Sequence, residues 1–188
     1  AVLISLTQFL VLFADQKFFL TLSEKALSPD AMTSYQGRMY SMINGFSLLI
    51  QVLILPWLFN YFHTFSIHYA IPVLNMIPVL LSYAGISPLL VSSIGFIESK
   101  GVDYSLFAVA KELLYHPLNV EQRYGAKYIV DIVAYRGAKG LSGPILYYFQ
   151  NLGMNFLNYS MLFFLFLWLV VIYFLQKLHL NFKTTEEI

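Results

Sequence analysis

The chain has 188 residues, of which 59% are apolar, 18% are aromatic and only 11% are charged. Soluble domains carry roughly 25% charged residues, so this composition excludes a soluble enzyme and a disordered chain. Because cysteine is absent, a disulfide scaffold is excluded as well. The net charge of +1 offers no general attraction to nucleic acid.

The charged residues are unevenly distributed along the chain. Residues 39–97 and residues 140–176 contain no Lys, Arg, Asp or Glu. A transmembrane helix needs about 20 predominantly apolar residues, so the first stretch can hold two spans and the second at least one. The sequence therefore predicts an integral membrane protein whose main partner is the lipid bilayer.

In chain order, the pattern predicts an all-α, polytopic membrane bundle of six transmembrane helices over residues 1–178. The spans run approximately over residues 1–22, 37–61, 66–84, 89–114, 125–150 and 159–178. Polar connections are expected at Ser23–Gln36, His116–Tyr124 and Asn151–Asn158. Residues 179–188 are predicted to be a polar, frayed tail.

Proline and glycine add detail to the middle of this pattern. Pro72 and Pro78 lie inside the third span, and membrane helices tolerate proline when neighbours satisfy the freed carbonyls. Gly85-Ile86-Ser87-Pro88 predicts a tight connection to the fourth span. Gly137, Gly140 and Gly143 predict small-residue contacts between the fifth span and a neighbouring helix.

The Lys and Arg residues near the span ends predict the orientation of the chain. One side is flanked by more basic residues than the other: Lys111, Arg123, Lys127, Lys177 and Lys183 against Lys25 and Arg38. The positive-inside rule then places the C-terminal tail in the cytoplasm. Because the sequence starts at the apolar residue Ala1 and has no initiator Met, we expect that an N-terminal part of the protein precedes it.

Most of the charge at membrane depth lies on two of the predicted spans. Ionisable groups there cost roughly 2.5–3.5 kcal/mol each on insertion scales, so they need partners or a wet cavity. The charged residues are Asp15 and Lys17 in the first span, Glu98, Lys100, Asp103, Lys111 and Glu112 in the fourth, and Lys127, Asp131, Arg136 and Lys139 in the fifth.

Helical spacing suggests a role for the fifth span. Lys127 and Asp131 are four residues apart and share a face, while Arg136 and Lys139 lie further along the helix. One acid among three bases gives an excess of positive charge, which suits a multiply charged anion in a central cavity. The alternative is salt bridging between helices, with lysines near the membrane faces extending to the interface.

The acids of the fourth span leave two interpretations open. Asp103 pairs with Lys100, or a lone acid acts as a proton relay. The four histidines make no metal-ligand pattern, and no Walker loop, HExxH motif or nucleophile elbow is present. We therefore predict no metal, no cofactor and no enzymatic activity.

Four stretches of sequence have the residues and spacing of one family's motifs. Tyr104-Ser105-Leu106-Phe107, then Lys111-Glu112 and Tyr115-His116-Pro117-Leu118, resemble a signature YSLF…KEMxYIPL. Lys127-Tyr128-Ile129-Val130-Asp131 resembles KAxID, and Tyr135-Arg136-Gly137-Ala138-Lys139 resembles the R-x-GK region after it. Asp15-Gln16-Lys17-Phe18-Phe19 is similar to a segment of the seventh span. The family is that of the nucleotide transporters, the ATP/ADP translocases of plastids and intracellular bacteria.

This resemblance implies one half of a twelve-span, major-facilitator-like carrier, namely its C-terminal six helices. It implies exchange of ATP for ADP, or transport of related nucleotides, by alternating access in a bacterial inner membrane or an organelle envelope. The implied partner is an N-terminal transporter half or another membrane subunit. By matched position, the candidate substrate-binding or coupling residues are Asp15, Lys111, Glu112, Lys127 and Asp131, with Lys17, Arg136 and Lys139 beside them.

Two positions depart from the family pattern. Phe19 occupies a position where the family has Lys, and Asp103 occupies one that is often basic. These departures favour two alternatives: a transport-inactive, carrier-derived membrane subunit with a structural role in a larger complex, and a secondary transporter of another anion. An inactive subunit is expected to have internally paired charges, whereas in a carrier the charged faces of the fourth and fifth spans line a shared cavity.

Overall fold

Every regular element in the described part of the chain is a helix. The computed structural model describes residues 1–25, 27–116, 118–149 and 153–186. Their α-helices are α1 (Val2–Ser23), α2 (Pro29–Leu49), α3 (Leu55–Tyr61), α4 (Thr64–Leu81), α5 (Pro88–Val102), α6 (Ala108–Leu113), α7 (Val120–Lys127), α8 (Tyr135–Phe149) and α9 (Met154–Glu186). The predicted all-α class is therefore confirmed.

Three π-helical segments join pairs of these helices. Ile50–Ile54 connects α2 to α3, Asp103–Phe107 connects α5 to α6, and Tyr128–Ala134 connects α7 to α8. In the described residues the nine α-helices thus form six continuous rods, in the order of the six predicted segments. Two of the π segments contain family motifs, and π turns in helices are frequent at functional sites.

Four of the helices are long and apolar enough to cross a membrane. They are Val2–Ser23, Pro29–Tyr61, Thr64–Leu81 and Met154–Leu178. The rods α5–α6 and α7–α8 do not belong to this set, and they contain most of the charges of the predicted spans. The apolar helices identify an integral membrane protein, while the count of six spans stays a prediction.

The polar connections are shorter than the sequence suggested, because local caps start helices inside them. The α2 helix begins at Pro29, where the Ser28 hydroxyl accepts a hydrogen bond from the Ala31 N–H and proline occupies the first turn. The α7 helix begins at Val120, after a capping box formed by Asn119 and Gln122.

The C-terminal region also differs from the prediction. The α9 helix begins at Met154 and continues to Glu186, whereas the sequence placed the end of the last span at residue 178 and predicted a polar, frayed tail after it. The end of the predicted fifth span at residue 150, residues 151 and 152 of the following turn, and residues 187 and 188 lie outside the described residues. The tight turn before α5 is confirmed, because Gly85 has a φ of 71°, in the left-handed region that favours glycine.

The α1 helix lies at the centre of the bundle. It packs against α5, α8 and α9, while α5 also packs against α2 and α4, and α4 packs against α9. Phe13 and Phe18 of α1 are fully buried, and the Phe18 ring stacks on Phe96 of α5 with 4.3 Å between ring centroids. This arrangement brings Asp15 of α1, Lys100 of α5 and Lys139 of α8 to one side of α1.

The glycines that allow close helix contacts lie on α5. A Cβ atom on Gly101 would collide with the Phe46 ring of α2, and one on Gly95 would lie 3.2 Å from the Pro78 Cβ atom of α4. A Cβ atom on any of the three α8 glycines meets no described atom within 4 Å. The predicted small-residue contact on α8 is therefore wrong within the described part of the chain.

Replacing Gly101 with alanine is expected to destabilise the bundle, because the new methyl group overlaps the Phe46 ring. Overpacking of this kind costs about 1–3 kcal/mol. The matched control is Gly45→Ala on α2, where a Cβ atom meets no described atom within 4 Å and the substitution is expected to be neutral or stabilising. Thermal unfolding of the purified protein in detergent measures both, and equal midpoints for Gly101→Ala and the wild type would contradict the packing described.

Candidate functional site

A buried ion pair joins α1 to α5 in the middle of the bundle. The Lys100 Nζ atom lies 3.1 Å from the Asp15 Oδ2 atom, and the two side chains are 8% and 24% exposed. The same ammonium group lies 4.6 Å from the ring centroid of Phe96 and 5.1 Å from that of Tyr40. Because the cation has both a carboxylate and two aromatic faces, its burial is compensated.

A polar cleft opens next to this ion pair. It has a volume of about 90 Å³ and is lined by α1, α5, the π segment that follows α5, and α8. Two acids and two bases face it, together with polar and aromatic side chains: Asp15, Lys100, Asp103, Lys139, Gln8, Tyr104 and Tyr135. The mixture of charges makes the cleft a candidate binding site for a charged group.

The size of the cleft limits what it holds in this conformation. Pockets for drug-sized ligands measure about 300–1,000 Å³, so a cleft of about 90 Å³ takes water or one small anionic group. A larger cavity of about 280 Å³ lies between the start of α1, the region of α6, and Val171 and Leu175 of α9, and Lys111 is the charged side chain in a mostly apolar lining of described residues. The chemistry for an anion is thus at the smaller cleft, which has to widen to admit a larger molecule.

Two crossed ion pairs join the charged rods near one end of the bundle. Lys111 of α6 lies 2.7 Å from Asp131, and Lys127 of α7 lies 2.5 Å from Glu112 of α6. The sequence predicted that Lys127 and Asp131 share a helix face; in the structure each pairs with the neighbouring rod. These four family-motif residues therefore hold the two rods together in this conformation.

Exchanging the charges of one crossed pair tests this contact. Asp131→Lys alone places two ammonium groups together, and we expect a loss of about 1 kcal/mol or less, because the side chains are 22% and 40% exposed. The double variant Lys111→Asp/Asp131→Lys is expected to recover the wild-type unfolding midpoint in detergent. A double variant no more stable than the single one would show that this ion pair does not join the rods.

Lys17 lies apart from the other candidate residues. Its Nζ atom donates hydrogen bonds to the Ser82 hydroxyl, 2.8 Å away, and to the Asn158 side-chain oxygen, 2.6 Å away. It therefore joins α1 to the end of α4 and to the start of α9 without facing the polar cleft. This placement gives Lys17 a contact that stabilises the bundle.

The two bases of α8 differ in their surroundings. The Lys139 Nζ atom lies 4.6 Å from the Tyr135 ring centroid, and its side chain lines the cleft. Arg136 is exposed on α8 and is absent from the cleft lining. Of the eight predicted site residues, the structure brings Asp15 and Lys139 to the cleft and groups Lys111, Glu112, Lys127 and Asp131 in the crossed pairs.

The π segments bring polar backbone groups toward the site. The Gln51 side chain, in the first π segment, donates a hydrogen bond of 3.1 Å to the Tyr104 carbonyl in the second. This contact joins the α2–α3 rod to Tyr104, which lines the cleft.

Sequence analysis did not identify all the residues of the cleft. Lys100 was expected to pair with Asp103, but it pairs with Asp15 of α1, and Asp103 hydrogen-bonds the Gln8 side chain. Spacing within one helix could suggest the first pairing but could not show that α1 passes beside α5. Gln8 had no sequence signal beyond being a polar residue in an apolar span.

The fold and this site are those of a helical membrane protein with charged groups between its helices. The chain belongs to the TLC ATP/ADP transporter family, whose sequence model matches residues 39–182. The match includes the motifs of both charged rods and leaves out α1, with Asp15 and Lys17. No curated protein and no solved structure is significantly similar to the chain.

Proposed function

We propose that this chain is the C-terminal, six-span part of a carrier that exchanges ATP for ADP by alternating access. The observation that supports it most is the polar cleft between α1, α5 and α8, where Lys100 and Lys139 face the space between these helices. Membership of the TLC ATP/ADP transporter family supports a nucleotide as the substrate. The family is one of transporters, which agrees with the expectation that the chain is not an enzyme.

In this proposal the lysines of the cleft bind the phosphates of the nucleotide. Ammonium groups form charge-assisted hydrogen bonds with phosphate oxygens, and these are stronger when water is excluded. Without substrate, Asp15 compensates Lys100, and the phosphates replace that carboxylate when they enter. The rings of Tyr104 and Tyr135 are large flat surfaces close to the same lysines.

The charged rods are the two remaining spans in this proposal. Their polar side chains face α1, the cleft and each other through the ion pairs described above. If the two rods cross the membrane, few of their charged groups therefore face the lipid. Arg136 and the open face of α8 then face an N-terminal transporter half or another membrane subunit. A carrier site is expected at such an interface between two halves.

The proposal is tested by uptake of labelled ATP into liposomes that contain the complete native assembly. We expect saturable uptake that unlabelled ATP and ADP both suppress and that AMP suppresses less, because the polyphosphate provides most of the binding. Uptake suppressed equally by any inorganic anion would favour a secondary transporter of another anion.

A second candidate is the transport-inactive subunit with a structural role. The three ion pairs favour it, because they compensate six of the span charges inside the chain. The absence of any nucleotide uptake by an assembly that is inserted and stably bound to its partners would favour this second candidate.

A further inference from the structure

Glu98 lies in a seam where α5 meets both α2 and α4. Gly95, three residues earlier, faces Pro78 of α4, and Gly101, three residues later, faces Phe46 of α2. Residues three apart share a helix face, so Glu98 lies between these two contacts. This seam is on the side of α5 away from the polar cleft.

The Glu98 carboxyl group has no protein partner among the described residues. Both of its oxygen atoms are buried and neither has a hydrogen bond. The other acids of the predicted spans all have partners: Lys100 for Asp15, Gln8 for Asp103, Lys127 for Glu112 and Lys111 for Asp131. Glu98 is therefore the exception among the described acids of these spans.

The titratable groups of the neighbouring helices have contacts elsewhere. On α1, Asp15 pairs with Lys100, and Lys17 donates hydrogen bonds to Ser82 and Asn158. On α2, the Tyr35 hydroxyl lies 3.0 Å from the Ser93 hydroxyl. The Arg38 guanidinium lies over the Tyr35 ring, and the Tyr40 ring contacts Lys100. On α4, the His68 Nε2 atom lies 3.1 Å from the Ala110 carbonyl oxygen, and the Tyr69 hydroxyl bonds Gln176. None of these groups offers a positive charge to Glu98.

An ionised carboxylate in such a seam is costly, and taking up a proton removes the cost. A buried charge without a partner is destabilising by far more than a neutral carboxylic acid. We propose that Glu98 is a proton-binding site, protonated in this conformation and deprotonated when the seam opens to water. The ligand of this site is a single proton, bound to a carboxylate oxygen.

The position of Glu98 on α5 links this proton to the cleft. Lys100 and Glu98 lie two residues apart on the same helix: Lys100 pairs with Asp15 of α1, and Glu98 lies between the contacts that α5 makes with α4 and α2. A movement of α5 that releases Lys100 from Asp15 therefore also changes the seam. Coupling of the proton to transport rests on the proposed nucleotide exchange, whereas the protonation of Glu98 does not.

Infrared difference spectroscopy tests the protonation directly. For the purified native assembly at neutral pH, we expect the carbonyl band of a protonated carboxylic acid in the wild type and its loss in Glu98→Gln. The matched control is Glu24→Gln, at the exposed end of α1, which is expected to retain the band. A band of wild-type intensity in Glu98→Gln would overturn the inference.

Uptake of labelled ATP into liposomes with an inward proton gradient tests the coupling. We expect the gradient to accelerate uptake in the wild type and in Glu98→Asp, which retains the carboxyl group, and the acceleration to be lost in Glu98→Gln. Acceleration that persists in Glu98→Gln would overturn the coupling. If no assembly takes up nucleotide, the proposed function fails, and the infrared band alone decides whether the proton site exists.

Discussion

Replacing Lys100 with methionine is expected to destabilise the protein strongly and to abolish nucleotide exchange. The substitution leaves the Asp15 carboxylate buried without its cation, and breaking a buried ion pair in this way costs about 3–5 kcal/mol. Thermal unfolding in detergent measures the loss of stability, and counter-exchange in liposomes measures the activity.

The double variant Asp15→Asn/Lys100→Gln separates stability from function. It removes both charges and keeps the side-chain sizes, so we expect it to be more stable than Lys100→Met. If Lys100 binds phosphate, the double variant inserts and unfolds cooperatively but does not exchange nucleotide. Normal exchange in this variant would exclude Lys100 from the substrate site and leave it a structural role.

Replacing Lys139 with glutamine is expected to weaken nucleotide exchange while the protein stays folded. The side chain lines the cleft from α8 and stacks on Tyr135, so its loss removes a cation without opening the α1–α5 contact. A hydrogen bond to a charged group contributes about 1.5–3 kcal/mol, which corresponds to a loss of roughly tenfold to a hundredfold in kcat/KM.

Lys25→Gln is the matched control for this substitution. Lys25 is exposed in the connection after α1 and does not line the cleft, and its substitution removes the same charge. Equal kcat/KM values for Lys139→Gln and Lys25→Gln would show that Lys139 is not part of the substrate site.

The order and approximate position of the helices could be predicted from the sequence because apolar length is a strong signal. The runs without charge between residues 39 and 97 and between 140 and 176 each gave helices. The caps at Ser28 and Asn119 are local sequence signals too, and they explain why α2 and α7 begin before the predicted residues 37 and 125. The π segments could not be predicted, because their sequences also suit an ordinary α-helix.

For the site, the sequence could predict several of the charged residues but not which residues pair with each other. The spacing placed Lys127 and Asp131 on one helix face, but their partners Glu112 and Lys111 follow from how two rods pack. The pair between Asp15 and Lys100 joins residues far apart in sequence, and no helical period relates them. Glu98 was one of several charged residues on the predicted fourth span, and only the packing of α2 and α4 around α5 shows that it is buried without a partner among the described residues.

The most direct test of the proposed exchange is trans-stimulation in liposomes that contain the complete native assembly. Vesicles are loaded with labelled ATP, and its efflux is followed after ADP is added outside. The account predicts that external ADP starts rapid efflux, that buffer alone does not, and that the Lys139→Gln assembly responds weakly. Efflux at the same rate with and without external ADP would contradict an exchange carrier.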